Sequence, residues 1–216
     1  MTLGSRAWYD FVRGLVKVTF FGSIGGLKTI HGERVPKDGP LIVAPNHLSV
    51  LDPPAIACAI QRRLNFMAKE ELFRGIFGRL IASVGAFPVR RGEGDSEAIR
   101  RAMAMLESGR AVLIFPEGTR GDGESLLPLN RGVALMAKRT GAKVLPMGIV
   151  GTQRLLPKGS KKLKRGRITV VVGKPFTYEE ATRDASGDPR IAFTHRLATD
   201  IVDLCREAGL DLRMPD

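Results

Sequence analysis

Apolar residues in this chain cluster into short runs, and the segments between those runs carry helical spacing. The runs are 41–44, 64–68, 86–89, 111–115, 143–150 and 168–172. Each is brief, largely aliphatic and bounded by polar residues, Gly or Pro, the pattern of strands buried on both faces. Between them, apolar positions return every three or four residues. The spacing predicts a helix from Asp52 or Pro53 to about Ile60, and another over 72–84. A third begins at an Asp95 cap and stops before Gly109, with Ile99, Met103 and Leu106 on one face. Residues 132–140 form a fourth. The last has Asp188 as cap and Pro189 in its first turn, turns Phe193, Leu197, Ile201 and Leu204 inward, and ends before Gly209. This alternation predicts a single-domain α/β sandwich, a mixed central sheet flanked by helices. A chain of 216 residues is long enough for its core.

The N-terminus has a different pattern. On a helical wheel Trp8, Phe11, Val12, Leu15 and Val18 share one side, and Arg6, Arg13 and Lys17 lie opposite. Such a helix suits a membrane interface, and the same pattern suits a terminal helix docked on a domain with its cations in water. Phe20 and Phe21, beside Gly22, Gly25 and Gly26, add apolar surface and favour the membrane. Residues 1–30 are therefore expected to be an amphipathic membrane-associating segment ahead of a domain over 31–216. No apolar run reaches the roughly 18 residues of a spanning helix, and no secretory signal stands out. The expected location is the cytoplasmic face of a membrane, peripheral or monotopic.

Charge narrows the partners. Lys and Arg number 34 against 22 Asp and Glu, a net charge of +12. Anionic partners follow: acidic lipid, phosphorylated small molecules or nucleic acid. The segment 154–167 holds Lys158, Lys161, Lys162, Lys164 and Arg165 between turn-forming Gly159 and Gly166. It reads as a solvated loop or as a contact for anionic headgroups or an acidic carrier. Aromatic residues are not interleaved there as base stacking requires, so nucleic acid is not an expected partner. Cys58 and Cys205 sit in apolar or helical contexts and read as reduced, buried thiols. His31, His47 and His195 match no common metal spacing, so no metal and no bound cofactor is expected.

Two short motifs carry chemistry. Asn46-His47-Leu48-Ser49-Val50-Leu51-Asp52 sets one imidazole and one carboxylate at a strand-to-helix turn. A carboxylate holds an imidazole in the tautomer a general base needs. Asp52 before Pro53 is also an ordinary helix cap, and Ser49 reads as a turn-capping hydroxyl. Phe115-Pro116-Glu117-Gly118-Thr119-Arg120 follows a buried strand and delivers polar groups to the sheet edge. Thr119 offers a hydroxyl and Arg120 a planar fork of donors suited to phosphate. Alone, it also reads as a polar surface turn.

Together, in this order, the two motifs resemble the glycerolipid acyltransferase family, and within it the 1-acylglycerol-3-phosphate (lysophosphatidate) acyltransferases. Gly85-Ala86-Phe87-Pro88-Val89-Arg90-Arg91 and the stretch from Val144 to Thr152 are similar to that family's remaining blocks, and Met67 to Phe73 looks familial too. The likeness spans roughly 41–159. It implies an acyltransferase domain that moves an acyl group from coenzyme A or acyl carrier protein to the free hydroxyl of a membrane lysophospholipid, in phospholipid biosynthesis. It assigns the base to His47 and its partner to Asp52, and phosphate binding to Glu117, Gly118, Thr119 and Arg120 with Arg90 or Arg91. Charge singles out the arginines; Glu117 is expected to orient Arg120 or accept from a glycerol hydroxyl. Lys69 and Lys158 are further candidates. No Gly-x-Ser-x-Gly elbow is present, which fits direct transfer. Two alternatives remain at this point: the same chemistry on another lipid acceptor, or a non-catalytic basic module on anionic membrane or nucleic acid.

Overall fold

A computed structural model describes residues 3–89 and 96–215. In chain order the elements begin with α1 (Leu3–Val16), which runs through a π-helical turn (Lys17–Phe21) into α2 (Gly22–Ile24). Then come β1 (Leu27–Ile30), β2 (Leu41–Pro45), α3 (Asp52–Ala59), β3 (Leu64–Lys69), α4 (Gly75–Ser83) and β4 (Ala86–Val89). They are followed by α5 (Ser96–Glu107), β5 (Ala111–Leu113), α6 (Gly132–Thr140), β6 (Lys143–Val150), α7 (Thr152–Leu155), β7 (Ile168–Val172), α8 (Tyr178–Thr182) and α9 (Pro189–Glu207). Among these residues the strands form one seven-stranded sheet in the order β1-β7-β6-β2-β5-β3-β4. Neighbours are parallel except β6 and β7, so the sheet is mixed as expected.

Helices cover both faces, which is why the central strands lack alternation: all five residues of β2 are buried. One core packs α5, α6, α8 and α9 on one face, and the other packs α3 and the end of the N-terminal helix on the opposite face. Adjacent strands β2 and β5 therefore lead into helices on opposite sides, α3 into one core and α6 into the other. That is a topological switch point, and it opens a crevice at the carboxyl ends of these strands.

Six strands coincide with the expected runs. β1 does not: it lies inside the 1–30 segment, so the sheet begins before the boundary drawn at residue 31. β5 stops at Leu113, two residues early, because Phe115-Pro116 already enters the turn. The helix expected over 72–84 is split into a 3₁₀ turn (Glu70–Phe73) and α4, which opens with Gly75 at φ +64. The short helices α7 and α8 add to the expected set; α8 starts at a Thr177–Glu180 capping box. Asp188 caps α9 as expected, accepting the Arg190 N–H at 2.9 Å. Asp95, the expected α5 cap, lies outside the described residues.

The N-terminal helix is two-faced, and its orientation is the informative part. Tyr9 is buried and its hydroxyl accepts the Leu64 N–H at 3.3 Å. Arg13 donates to the Ile60 carbonyl at 2.8 Å, closing the C-terminus of α3. The helix thus docks through Tyr9 and Arg13, and its apolar stripe faces outward: Phe11 is 60% and Val18 74% exposed, with Trp8 and Leu15 beside them. Phe21, by contrast, is fully buried and Phe20 packs on the same core, so this pair belongs to the fold and not to the exposed stripe.

Candidate active site

The site begins where β2 leaves the sheet. The β2–β6 ladder ends at Pro45 opposite Met147, and the Asn46 side chain then continues it. Its amide donates to the Ile149 carbonyl at 3.0 Å and accepts the Ile149 N–H at 2.7 Å. A buried carboxamide thus replaces a peptide group as the backbone turns away. Sequence reasoning gave Asn46 no role; its one signal is an amide between an apolar strand and a histidine.

His47 and Asp52 meet as expected. His47 Nδ1 lies 2.8 Å from Asp52 Oδ2, and the carboxylate is fully buried. The same oxygen accepts the N–H groups of Leu48 at 2.6 Å and Ser49 at 2.7 Å. An oxygen accepting two backbone N–H groups also accepts from the ring, so the proton sits on Nδ1 and Nε2 carries the lone pair. Asp52 is not an N-cap: α3 starts at Asp52 and the carboxylate turns back onto the preceding loop. Phe115 stacks on the imidazole, centroids 3.8 Å apart and planes 22° apart, which fixes the ring from its face. Ser49 Oγ donates to the Leu156 carbonyl at 2.8 Å and accepts from Leu51 N–H at 3.3 Å, the turn role expected.

The second motif wraps the first. Glu117 Oε1 accepts the His47 N–H at 2.6 Å, and Gly121 N–H donates to the His47 carbonyl at 2.8 Å. The His47 peptide is therefore held on both sides by a turn 70 residues away. Glu117 Oε2 accepts the Leu127 N–H at 3.1 Å, tying down the loop that follows. The glutamate thus engages two backbone N–H groups and is buried, so it orients the His47 backbone and not Arg120 as expected, and the plain surface-turn reading does not hold. Burial pushes its carboxyl up from 4.5 to about 7, against the pull of its two hydrogen bonds, and the nearby Asp52 and Asp122 charges add to the rise. Gly118 at φ +68 closes the turn with its N–H on the Phe115 carbonyl at 3.0 Å.

Gly118 and Thr119 are exposed and Arg120 is half-buried. Lys158, from the basic segment, donates to the Arg120 carbonyl at 2.8 Å, so this cation joins the turn as one of the further candidates suggested. Arg90 and Arg91 lie outside the described residues. The N–H groups of residues 47, 48 and 49 are all engaged, so none is an idle oxyanion donor. Both cysteines are free and buried, as the sequence suggests; burial pushes the Cys58 thiol up to about 11 and Cys205 to about 12.

Two cavities flank the His47 turn. The larger, 480 Å³, runs along the carboxyl ends of β3, β4 and β5. Its lining includes His47, Lys69 and Gly118 over an apolar floor of Met67, Val89, Ile99, Phe115 and Met136. The smaller, 340 Å³, is bordered by Leu48, Gly121, Asp122, Gln153, Pro157 and Lys158.

A switch-point crevice holding a carboxylate-oriented imidazole beside an apolar cavity is compatible with acyl transfer, and likeness to known proteins gives the class. Residues 28–150 match the family model described as acyltransferase, and the chain belongs to that family. It is 29% identical over 199 residues to the 1-acyl-sn-glycerol-3-phosphate acyltransferase of Bacillus subtilis (strain 168), spanning 91% of this chain and 96% of that protein. A lyso-ornithine lipid O-acyltransferase of Pseudomonas aeruginosa is 36% identical over 112 residues, 51% of this chain and 43% of that one. The crystal structure of the 1-acyl-sn-glycerophosphate acyltransferase PlsC from Thermotoga maritima superposes with a TM-score of 0.73 at 25% identity, covering 93% of this chain and 81% of that chain. Family membership sets aside the non-catalytic basic module. No helix among the described residues is long and apolar enough to cross a membrane.

Proposed function

We propose that this enzyme transfers a fatty acyl group from a thioester of coenzyme A or acyl carrier protein to the free hydroxyl of 1-acyl-glycerol-3-phosphate, giving phosphatidate. The observation that carries the reading is the Asp52–His47 pair beside an apolar cavity at the switch point. His47 Nε2 takes the hydroxyl proton as the acceptor oxygen attacks the thioester carbonyl. The new C–O bond forms, the tetrahedral adduct collapses, the C–S bond breaks, and the leaving sulfur receives the proton from the imidazolium. Asp52 holds the ring and stabilises its charged form. Such a base supplies roughly 10²–10⁴ of the rate, with positioning supplying much of the rest.

Direct transfer is supported by the state of Ser49 and the two cysteines among the described residues. Ser49 donates its hydroxyl proton to a carbonyl, and the cysteines are buried thiols with raised pKa. The apolar floor suits an acyl chain. Arg120, with Lys158 on its carbonyl, suits the acceptor phosphate, and Gly118 and Thr119 supply backbone and hydroxyl there. Arg90 and Arg91 remain part of this proposal. Glu117 acts by positioning, since it holds the His47 backbone. The outward apolar stripe of α1 seats the enzyme on the cytoplasmic face of a bilayer, where the acceptor resides.

The Pseudomonas relative's name makes the acceptor the point to test. Thiol release from a long-chain acyl-CoA should depend on lysophosphatidate and be faster with it than with lyso-ornithine lipid. Faster release with the phosphate-free acceptor would replace the acceptor assignment. Release that ignores both would remove the reaction.

A further inference from the structure

The helical layer on the α3 side of the sheet is apolar on its outer surface well beyond α1. In α4, Ile76 is 86% and Phe77 58% exposed, Leu80 lies one turn on, and Leu72 precedes them in the 3₁₀ turn. Only Gly78 of this helix is buried, against the Phe73 backbone, where a Cβ would come within 2.1 Å. Among the described residues, Ile76, Phe77 and Leu80 are left exposed. The two apolar helices are joined, since Trp8 Nε1 donates to Ser83 Oγ at 2.9 Å. Of the thirteen exposed large apolar side chains among the described residues, eight lie on α1, α4 and their adjoining turns. That concentration makes a patch, not the scatter every surface has.

Charge identifies the occupant. Arg74, just before α4, and Arg79 within it are exposed close to Ile76, Phe77 and Leu80 in the chain, while Arg6 and Lys17 are exposed on the side of the N-terminal helix opposite its apolar stripe. α4 itself has no acidic residue, and the 3₁₀ turn before it carries Glu70 and Glu71, both exposed. A second copy seated here by a two-fold axis would enclose Arg74, Arg79, Glu70 and Glu71 between two apolar faces, away from water. An anionic lipid surface instead takes up the apolar centre while its headgroup layer keeps these charged groups hydrated and pairs with Arg74 and Arg79. The patch also adjoins the site, because Lys69 and Glu70 on the larger cavity lead directly into Leu72 and α4.

We propose that α4 and its leading 3₁₀ turn form a second bilayer-contacting element beside α1, opening the larger cavity to lipids at its β3 rim. The idea extends the lipid-acceptor reading of the site and rests on it for its purpose. The test is co-sedimentation of the full chain with phosphatidylglycerol–phosphatidylcholine vesicles. The double variant Ile76→Ser/Phe77→Ser should lose about tenfold or more in partitioning while its unfolding midpoint is kept. Its transfer to a long-chain acceptor in vesicles should fall in parallel, and transfer to a monomeric short-chain acceptor should not. Arg74→Glu/Arg79→Glu should weaken binding to anionic vesicles more than to neutral ones. Unchanged partitioning of the serine variant would overturn the proposal. So would a wild-type dimer in sedimentation that the same variant renders monomeric. If the wild type acylates neither acceptor, yet vesicle binding depends on Ile76 and Phe77, the bilayer face stands and the catalytic reading fails.

Discussion

Replacing Glu117 by glutamine tests whether the second motif works by holding the first. The native carboxyl accepts the His47 N–H at 2.6 Å and the Leu127 N–H at 3.1 Å, and it is buried. Glutamine keeps the shape but offers one acceptor oxygen, so its amide NH₂ is set against the other N–H. One buried donor left unpaired costs roughly 1–3 kcal/mol. A pH dependence lies on top of this. The folded carboxyl titrates near 7 against an ordinary 4.5. Between those values the native state binds the proton and the unfolded state does not, so stability falls as pH rises through the window. Its contribution is complete below pH 4.5 and lost above about 7, a change on the order of 3 kcal/mol. Glutamine has no such proton. The wild-type advantage over Glu117→Gln in urea unfolding should therefore be larger at pH 4.5 than at pH 8 by about 3 kcal/mol, because other groups cancel in the difference. Turnover should fall with little change in the KM for the acyl thioester, as expected of a group acting through the His47 backbone. An identical stability difference at both pH values, or a loss confined to the acceptor KM, would refute the positioning role.

Three further substitutions probe neighbouring parts. Arg120→Ala should raise the KM for a phosphorylated acceptor while leaving that of the thioester near wild type; equal losses would contradict its phosphate role. Asp52→Asn should lower kcat by roughly 10²-fold or more through loss of tautomer control, read by steady-state thiol release. Asn46→Leu leaves the Ile149 N–H and carbonyl without their side-chain partner, so urea unfolding should show about 2–5 kcal/mol of lost stability.

The strands were legible because parallel strands covered on both faces leave unbroken apolar runs, as in β2 and β6. β1 was not, since Lys28 and Thr29 interrupt a four-residue edge strand that only pairing with β7 defines. The His47–Asp52 contact was readable because five residues and one turn suffice to make it. Which way the aspartate faced was not: a helix start looks the same whether its carboxylate caps forward or turns back onto residues 48 and 49. Glu117 was misassigned because its partners are backbone groups, and a sequence shows no backbone partner across 70 residues. Lys158 reached Arg120 through a contact between loops that no periodicity records. The first helix was readable as two-faced, but the face that docks depended on Tyr9 and Arg13 finding groups on β3 and α3.

The proton acceptor is the centre of the account. Thiol release from a long-chain acyl-CoA with lysophosphatidate should be lost in His47→Ala by a factor of roughly 10² or more, with unfolding unchanged. A folded His47→Ala enzyme that keeps most of its acceptor-dependent release would contradict it.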